Sequence, residues 1–430
     1  MKIPRALWNS ALDGVSSDSL SSADKGARLR ENKLSTSKVP GRILLIAPQP
    51  FYEDRGTPIA VKWVLEALSE HGDQVDLLTY PLGEDIELPG LRIFRLQTPF
   101  KIRHIPIGFS AQKLLLDAFL APAIGRRLRQ ERYKCIHAVE EAAFFAVMAG
   151  RRRGVPVIYD MQSSLPEHLM KHRLFRSTAI QQGLRSLERW LIRNADFVVC
   201  SAGLEEYVCT VDPCTTVKEW HFPSSSIDVS PDEVQQLREE LGLAPGVQVV
   251  LYTGNFEPYQ GVSRLLDAVF KVLSQLPNTV FILVGATRPA DFLLPPKSTE
   301  LVKRGALRLL PRQPRSMIPP FLAMADVVVS PREPGGNLPL KIFDYMAAGK
   351  AIVATDSPTH RTVLNNERAV LVDSSAEALG KGIVRLLQDR QSAERLGAAA
   401  QVYAREKLEW KAFVEMIAQV YDSVTVEVEN

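Results

Sequence analysis

DVVVSPREPGGNLPLKIFDYMAAGKAIVATD, residues 326–356, decides the reading of this chain. Continuous Val and Ile runs bounded by Pro and Gly suit strands covered on both faces, so 326–330 and 351–355 read as two buried strands of a parallel sheet. Between them lie a loop containing Pro331, Pro334, Gly335, Gly336 and Pro339 and a helix over 340–348. The stretch is therefore a βαβ unit with an elaborate strand-to-helix loop. Such loops stand at the carboxyl ends of strands, where α/β proteins bind ligands, and a helix N-terminus there offers N–H groups to an anion.

The same grammar recurs upstream. RILLIA (42–47) reads as a buried first strand, followed by the loop PQPFYEDRGTP and a helix from Pro58 to about Ser69. Thr57 suits the N-cap, Pro58 the first helical position, and Gly56 a close approach of backbone to ligand. The loop is neither a G-x-G-x-x-G fingerprint nor a P-loop, which argues against a nicotinamide enzyme or an NTPase. Further strands are expected at 74–80, 91–96, 135–139, 155–159 and 197–200, alternating with helical patterns at 141–150 and 178–193. A helix over 111–129 carries Leu114, Leu115, Phe119 and Leu120 ahead of Arg126, Arg127 and Arg129, the pattern of a core-facing helix with a snorkelling basic end in the favoured reading and of a membrane-surface helix in the alternative.

A second unit opens with SPDEVQQLREELG, in which Ser230 and Glu233 form a capping box. Strand 249–254 then leads through NFEPYQG into a helix over 262–274, and 281–285 is the next strand. Helices over 376–387 and 410–421 close the chain. Alternating strands and helices of these lengths imply an α/β protein with two doubly wound, Rossmann-like domains. The expected division is a flexible tail (1–40), a first domain (41–225), a second (226–408) and a C-terminal helix (409–430) packing back on the first.

At 430 residues, 46% hydrophobic and 23% charged, the chain can fill two cores. A net charge of +3 makes no case for nucleic acid. Residues 101–193 nevertheless hold 17 Lys and Arg against 7 Asp and Glu, giving the first domain a basic face. That face is either a solvated surface of Arg-rich helices or attracted to an anionic membrane surface or a phosphorylated substrate. Cys135, Cys200, Cys209 and Cys214 form no C-x-x-C pair and read as cysteines of a reducing compartment. No apolar run approaches the ~18 residues of a membrane span, and the N-terminus lacks a signal-peptide core, so a cytoplasmic protein with at most peripheral membrane contact is expected.

The segments IAPQPFYEDRGTPIAV, VEEAAFFA, YDMQSSLPE, ADVVVSPREPGGNLPLKIFDYMAAGK and IVATDSPTH resemble glycosyltransferase family 4, over nearly the whole length from Arg42 to about Val424. The resemblance implies a GT-B fold, with the two domains facing across a cleft. It also implies transfer of a sugar from a nucleoside-diphosphate sugar to a glycan, lipid-linked or small-molecule acceptor with retention of configuration. The nucleotide sugar is then a co-substrate, with no other cofactor and no metal. The donor would lie against the second domain and the acceptor against the first.

Carried onto this chain, the resemblance places Asp344 at the ribose, where relatives usually have Glu, and Lys341 in the same helix one turn earlier. The family's first acid falls at Gly336, so Glu333 either takes over the contact with the donor sugar or merely pairs with Arg332. Many relatives neutralise the diphosphate with an Arg and a Lys where this chain has Asn255 and Gln260. Lys341, Arg332 and Arg55 are the remaining cations, with the backbone at Gly56 and Gly261. The donor set is thus Gly56, Gly254, Gln260, Gly261, Arg332, Gly336, Asn337, Leu338, Lys341 and Asp344, with Glu333 and Lys341 as the catalytic candidates. Arg55, Glu140, Asp160 and Gln162 form the acceptor side, Gln162 standing where His is usual. Glu141 is expected to cap its helix, His137 to be a satisfied core histidine, and His360 either to face the donor or only to follow a helix cap at Ser357. Two other readings remain open: a degenerate nucleotide-sugar binder or scaffold subunit, and an epimerase or hydrolase on the same fold.

Overall fold

The computed structural model describes residues 41–53, 56–106, 110–164, 166, 177–224, 228–286, 294, 296–333 and 338–424. The expected tail over 1–40, and Arg55, Gly336 and Asn337, lie outside the described residues. Two parallel sheets account for the strands. The first contains β1 (Arg42–Ala47), β2 (Val75–Thr79), β3 (Leu91–Arg95), β4 (Tyr133–Val139), β5 (Val157–Met161), β6 (Phe197–Ser201) and β7 (Val217–Trp220), in the order β3-β2-β1-β4-β5-β6-β7. The second contains β8 (Gln248–Thr253), β9 (Thr279–Ala286), β10 (Leu307–Pro311), β11 (Val327–Ser330), β12 (Ala351–Thr355) and β13 (Val370–Val372), in the order β10-β9-β8-β11-β12-β13.

Both sheets are doubly wound, as the alternating pattern predicts. The central strands are apolar on both faces because helices cover both sides; β1 reads RILLIA with all but Arg42 buried, and β11 reads VVVS with all four residues buried. The strand order reverses between β1 and β4 in one sheet and between β8 and β11 in the other. The segments leaving these strands therefore diverge to opposite faces and open a crevice at the carboxyl ends.

Local signals mostly act where expected. Ser230 caps the Pro231–Glu240 helix with a complete capping box, and Ser357 caps the short helix Pro358–Arg361 by accepting from His360 N–H. Two caps differ. The Gly56–Glu70 helix begins before Thr57, so Thr57 lies in its first turn and is not its cap. Glu141 holds the N-cap position of Ala142–Arg153, but its side chain makes no capping bond. The Ala111–Gln130 helix also presents a different face from the one read in sequence. It buries Leu116, Leu120, Ile124 and Leu128 at a four-residue repeat and leaves Leu114 (57%) and Leu115 (48%) exposed.

The chain crosses between the sheets twice, first near Ser224 and again near Leu408, and the crossings are bonded: Ser224 N–H donates to the Leu408 carbonyl at 2.9 Å. After the second crossing the Trp410–Ser423 helix packs against Gly56–Glu70, with Trp410 Nε1–H donating to Glu70 at 2.7 Å. Phe413 packs at a tilt against Trp220 and Phe222, and Tyr421 reaches His137 in β4. One apolar core thus runs from Ile43 and Leu45 past Phe413 to Val249 and Leu251.

Candidate functional site

At the switch point of the second sheet, β8 is followed by Gly254 and β11 by Pro331, Arg332 and Glu333. The Lys341–Ala347 helix brings the Lys341 ammonium between them. Its Nζ donates to Gln260 Oε1 at 3.0 Å and sits 3.9 Å from the centroid of the Tyr252 ring. Gly254, at φ +132, leaves this space: a Cβ there would stand 3.3 Å from Lys341 Nζ and 3.2 Å from the Tyr252 hydroxyl. Among the described residues no carboxylate pairs with Lys341. Burial, and then the neighbouring Arg332, push its pKa well below the usual lysine range.

Arg332 is 8% exposed, with its guanidinium 4.9 Å from the Tyr259 ring centroid, and burial lowers its pKa as well. Its carbonyl accepts from Thr355 Oγ1 at 2.5 Å. Thr355 in turn meets His360, whose Nδ1 lies 2.7 Å from the Thr355 carbonyl while Nε2 lies 3.0 Å from Ser330 Oγ. The carbonyl can only accept, so Nδ1 carries the proton and Nε2 accepts from Ser330. His360 is fully buried and so does not face a ligand; it ties the ends of β11 and β12 beneath Arg332. The site is thus a buried seat in which two basic side chains, Lys341 and Arg332, lie against the aromatic rings of Tyr252 and Tyr259. An anion bound beside Lys341 would favour its protonated form, because a buried ammonium is costly without one.

Several sequence expectations change here. Glu333 does not pair with Arg332; it is 52% exposed and bonded to Arg264 at 3.1 Å. Gly261 is glycine because the Pro331 carbonyl would lie 2.0 Å from a Cβ, so its backbone is closed off by the protein itself. Leu338 is buried in the apolar core, which leaves only its backbone for a ligand. In the helix that follows, the Ile342 and Phe343 N–H groups donate to the Pro339 and Leu340 carbonyls, so two of the donors expected to meet an anion are spent. Asp344 accepts from Arg315 at 3.1 Å, and the Arg315 guanidinium lies 5.0 Å from the ring of Trp63 in the first domain.

At the carboxyl ends of the first sheet, Glu140 follows β4 with φ +49, a left-handed conformation unusual for a residue with a side chain. It accepts from Ser163 Oγ at 3.3 Å. Burial raises the pKa of Glu140 and of Glu141; the charge of Asp160 adds to the rise at Glu140, and that of Glu140 to the rise at Glu141. Asp117, bonded to the Tyr80 hydroxyl at 2.6 Å, is pushed up to about 7 by burial and by the charge of Glu141. Asp160 is buried, with Gln162 Nε2 at 2.8 and 2.9 Å from its oxygens and His137 Nε2 at 3.2 Å. His137 is the satisfied core histidine that the sequence suggests, its other nitrogen 2.6 Å from the Tyr421 hydroxyl. Gly56 opens the first domain's helix with nothing within 4 Å of its Cβ direction. Among the described residues no group of three His, Cys, Asp or Glu side chains could hold a metal ion.

Sequence reasoning did not single out Tyr252, Tyr259, Arg264, Arg315, Trp63 or Tyr421. Only the alternation of β8 offered a signal, since it places Tyr252 two residues before Gly254 on one face. The others come from distant elements and leave no local trace.

Comparison with known proteins bears on both halves. Residues 55–208 match the glycosyl transferase 4-like domain, and residues 233–403 match the glycosyl transferases group 1 family. The chain belongs to the family 4-type glycosyltransferases of GT-B fold. The phosphatidyl-myo-inositol mannosyltransferase of Mycobacterium leprae is 24% identical over 89% of this chain and 97% of its own length. That of Mycobacterium tuberculosis is 31% identical over 41% of this chain, and the match spans about half, 47%, of that relative. Sucrose-phosphate synthase from Thermosynechococcus elongatus superposes with a TM-score of 0.71 at 21% identity, covering 89% of this chain and 98% of that one. HepE of Anabaena, solved in complex with UDP-glucose, superposes at 0.67 with 19% identity, over 89% and 100%. Against this family 4 background, the loop after β8 carries its neutral residues in defined roles. Asn255 accepts from the Tyr252 hydroxyl through its carbonyl, at 2.6 Å, and Gln260 accepts from Lys341.

Proposed function

We propose that the protein transfers a sugar from a nucleoside-diphosphate sugar to an acceptor hydroxyl, with retention at the anomeric carbon. The observation that carries this reading is the juxtaposition of Lys341 and Arg332, two buried basic side chains at the switch point of the second sheet. A diphosphate is the ligand whose charge matches both. Its binding would restore the protonated form of Lys341, which together with Arg332 would stabilise the negative charge that builds on the diphosphate as the sugar–phosphate bond breaks. Two cations also supply the charge a divalent ion would bring, which supports a transfer without metal. Asp344 is the carboxylate for the ribose hydroxyls, one turn along the same helix.

In the transfer, the bond from the anomeric carbon to the diphosphate breaks and a bond to the acceptor oxygen forms. The acceptor's proton passes to the leaving phosphate oxygen. Glu140 and Gln162, at the ends of the first sheet, face the acceptor. The acceptor is a glycan, a glycolipid or a small polyol. A lipid-linked acceptor fits one further observation: the exposed Leu114 and Leu115 stand on the Ala111–Gln130 helix, which ends in Arg127 and Arg129, an arrangement suited to peripheral contact with an anionic membrane. Among the described residues no helix is long and apolar enough to cross a membrane.

Purified protein should bind a UDP-, GDP- or ADP-sugar in calorimetric titration and turn it over with an acceptor, and Lys341→Met should lose most of that binding. Absence of binding and turnover with all three classes would sink the reading.

A further inference from the structure

A chain of buried polar groups connects the C-terminal helix to the acceptor side of the cleft. Tyr421, fully buried on the Trp410–Ser423 helix, places its hydroxyl 2.6 Å from His137 Nδ1, with the two rings parallel to within 5°. His137 Nε2 stands 3.2 Å from Asp160 Oδ2, and Gln162 Nε2 lies 2.8 and 2.9 Å from the two Asp160 oxygens. His137 and Asp160 are each 1% exposed and Gln162 is 3% exposed.

The chemistry of the members fixes the direction of every bond. A carboxylate only accepts, so the imidazole nitrogen facing Asp160 carries a proton. In the neutral ring Nδ1 is then an acceptor, and the Tyr421 hydroxyl must donate to it. On the other side of Asp160 the same rule turns the Gln162 amide: its NH2 faces the carboxylate, so its carbonyl oxygen faces away. That oxygen has no hydrogen-bond partner among the described residues. Gln162 follows the carboxyl end of β5 directly and is next in the chain to Ser163, whose hydroxyl donates to Glu140.

We propose that Gln162 presents a fixed acceptor oxygen to a hydroxyl of the bound sugar or acceptor, and that Tyr421 is its positioning residue, acting through His137 and Asp160. The proposal rests on the glycosyl-transfer reading above. Gln162 then selects for an O–H at that point and against an ether or keto oxygen, whose lone pairs would confront its own. Without the Tyr421 hydroxyl, the His137 ring is free to turn or exchange tautomers, Asp160 loses a fixed donor, and the Gln162 amide is no longer held in one orientation. The segment that fixes this polarity is the one that returns from the second domain, so both domains contribute to reading one substrate hydroxyl.

The test is a four-protein cycle of wild type, Tyr421→Phe, Gln162→Ala and the double variant, with kcat and KM measured on the sugar nucleotide that the wild type turns over among UDP-glucose, GDP-mannose and ADP-glucose. Tyr421→Phe is expected to lower kcat about 10-fold in the wild-type background, leave the donor KM within about 2-fold, and change kcat less than about 2-fold when Gln162 is already Ala. Asp160→Asn, which frees the amide without altering the C-terminal helix, should reproduce the Tyr421→Phe loss even if that variant folds poorly. Equal factors for Tyr421→Phe in both backgrounds, or full activity in Asp160→Asn, would overturn the role of Tyr421 while leaving glycosyl transfer in place. A wild type that turns over no sugar nucleotide would bring down the functional reading and this role together.

Discussion

Asp344 of the second domain accepts a hydrogen bond from Arg315 at 3.1 Å, and the same guanidinium lies 5.0 Å from the ring of Trp63 in the first domain. The carboxylate proposed for the ribose is therefore oriented by a residue that also touches the opposite domain. Removing either face of the arginine's seat should have a similar effect. Trp63→Ala and Arg315→Ala are each expected to weaken donor binding about 3- to 10-fold, the range of a cation–π contact or one charge-assisted bond. Titration showing Arg315→Ala weakened and Trp63→Ala unchanged would break the link between the domains.

Donor binding should also move a proton. Lys341 is held well below its usual pKa by burial and by Arg332, and the negative charge of a bound diphosphate would offset both effects. Above that depressed pKa, binding is expected to take up close to one proton, seen as a dependence of the calorimetric heat on the ionisation enthalpy of the buffer. In Lys341→Met the residual binding should lose that dependence; uptake that persists there points to another group.

The acidic cluster of the first domain makes a prediction about stability. Asp117, with a pKa near 7 against 3.8 for the free side chain, keeps its proton in the native state where the unfolded chain has lost it. Between about pH 4 and 7 the native state thus binds more protons, and stability falls as pH rises through this window. Asp117→Asn can still accept from Tyr80 and has no charge to bury. It should raise the unfolding midpoint by a few degrees at pH 8, on the order of 2 kcal/mol, and give little gain near pH 4. Equal gains at both pH values would contradict this.

His360 has the opposite sign. Burial, and then the charges of Lys341 and Arg332, hold its pKa near 4, so below pH 6.5 the unfolded chain takes up a proton that the native state refuses. Stability is lost as pH falls from about 6.5 to 4, by roughly 3 kcal/mol from this residue. His360→Gln should be less stable than wild type at neutral pH, because the Ser330 and Thr355 bonds are disturbed, yet show a flatter decline toward pH 4. Parallel curves would assign the acid loss elsewhere.

The central strands were readable because they are covered on both faces, which writes itself as an unbroken apolar run: RILLIA, VVLYT and AIVAT need no tertiary information. β7, β10 and β13 were not anticipated, and all three are edge strands. VKEW, LRLLP and VLV are short or mix charge with apolar residues because one side lies open, so periodicity has little to work on. At the candidate site the spacing of Lys341 and Asp344 was visible, since one helical turn relates them. Their partners were not: Gln260, Tyr252 and Arg315 come from three other segments, and a sequence does not show which face of one loop meets which face of another. The pairing of Glu333 with Arg332 failed for the same reason, because Arg264 lies closer in space though farther along the chain.

The bond between Ser224 and Leu408 fixes together the two places where the chain passes from one domain to the other. A body held by a single cord can spin and tilt in any direction, whereas one held by two neighbouring cords swings about the line that joins them. Any relative movement of the two halves is thereby steered about the line through Ser224 and Leu408, with Arg332 and Lys341 carried on one side of it and Gln162 and Glu140 on the other.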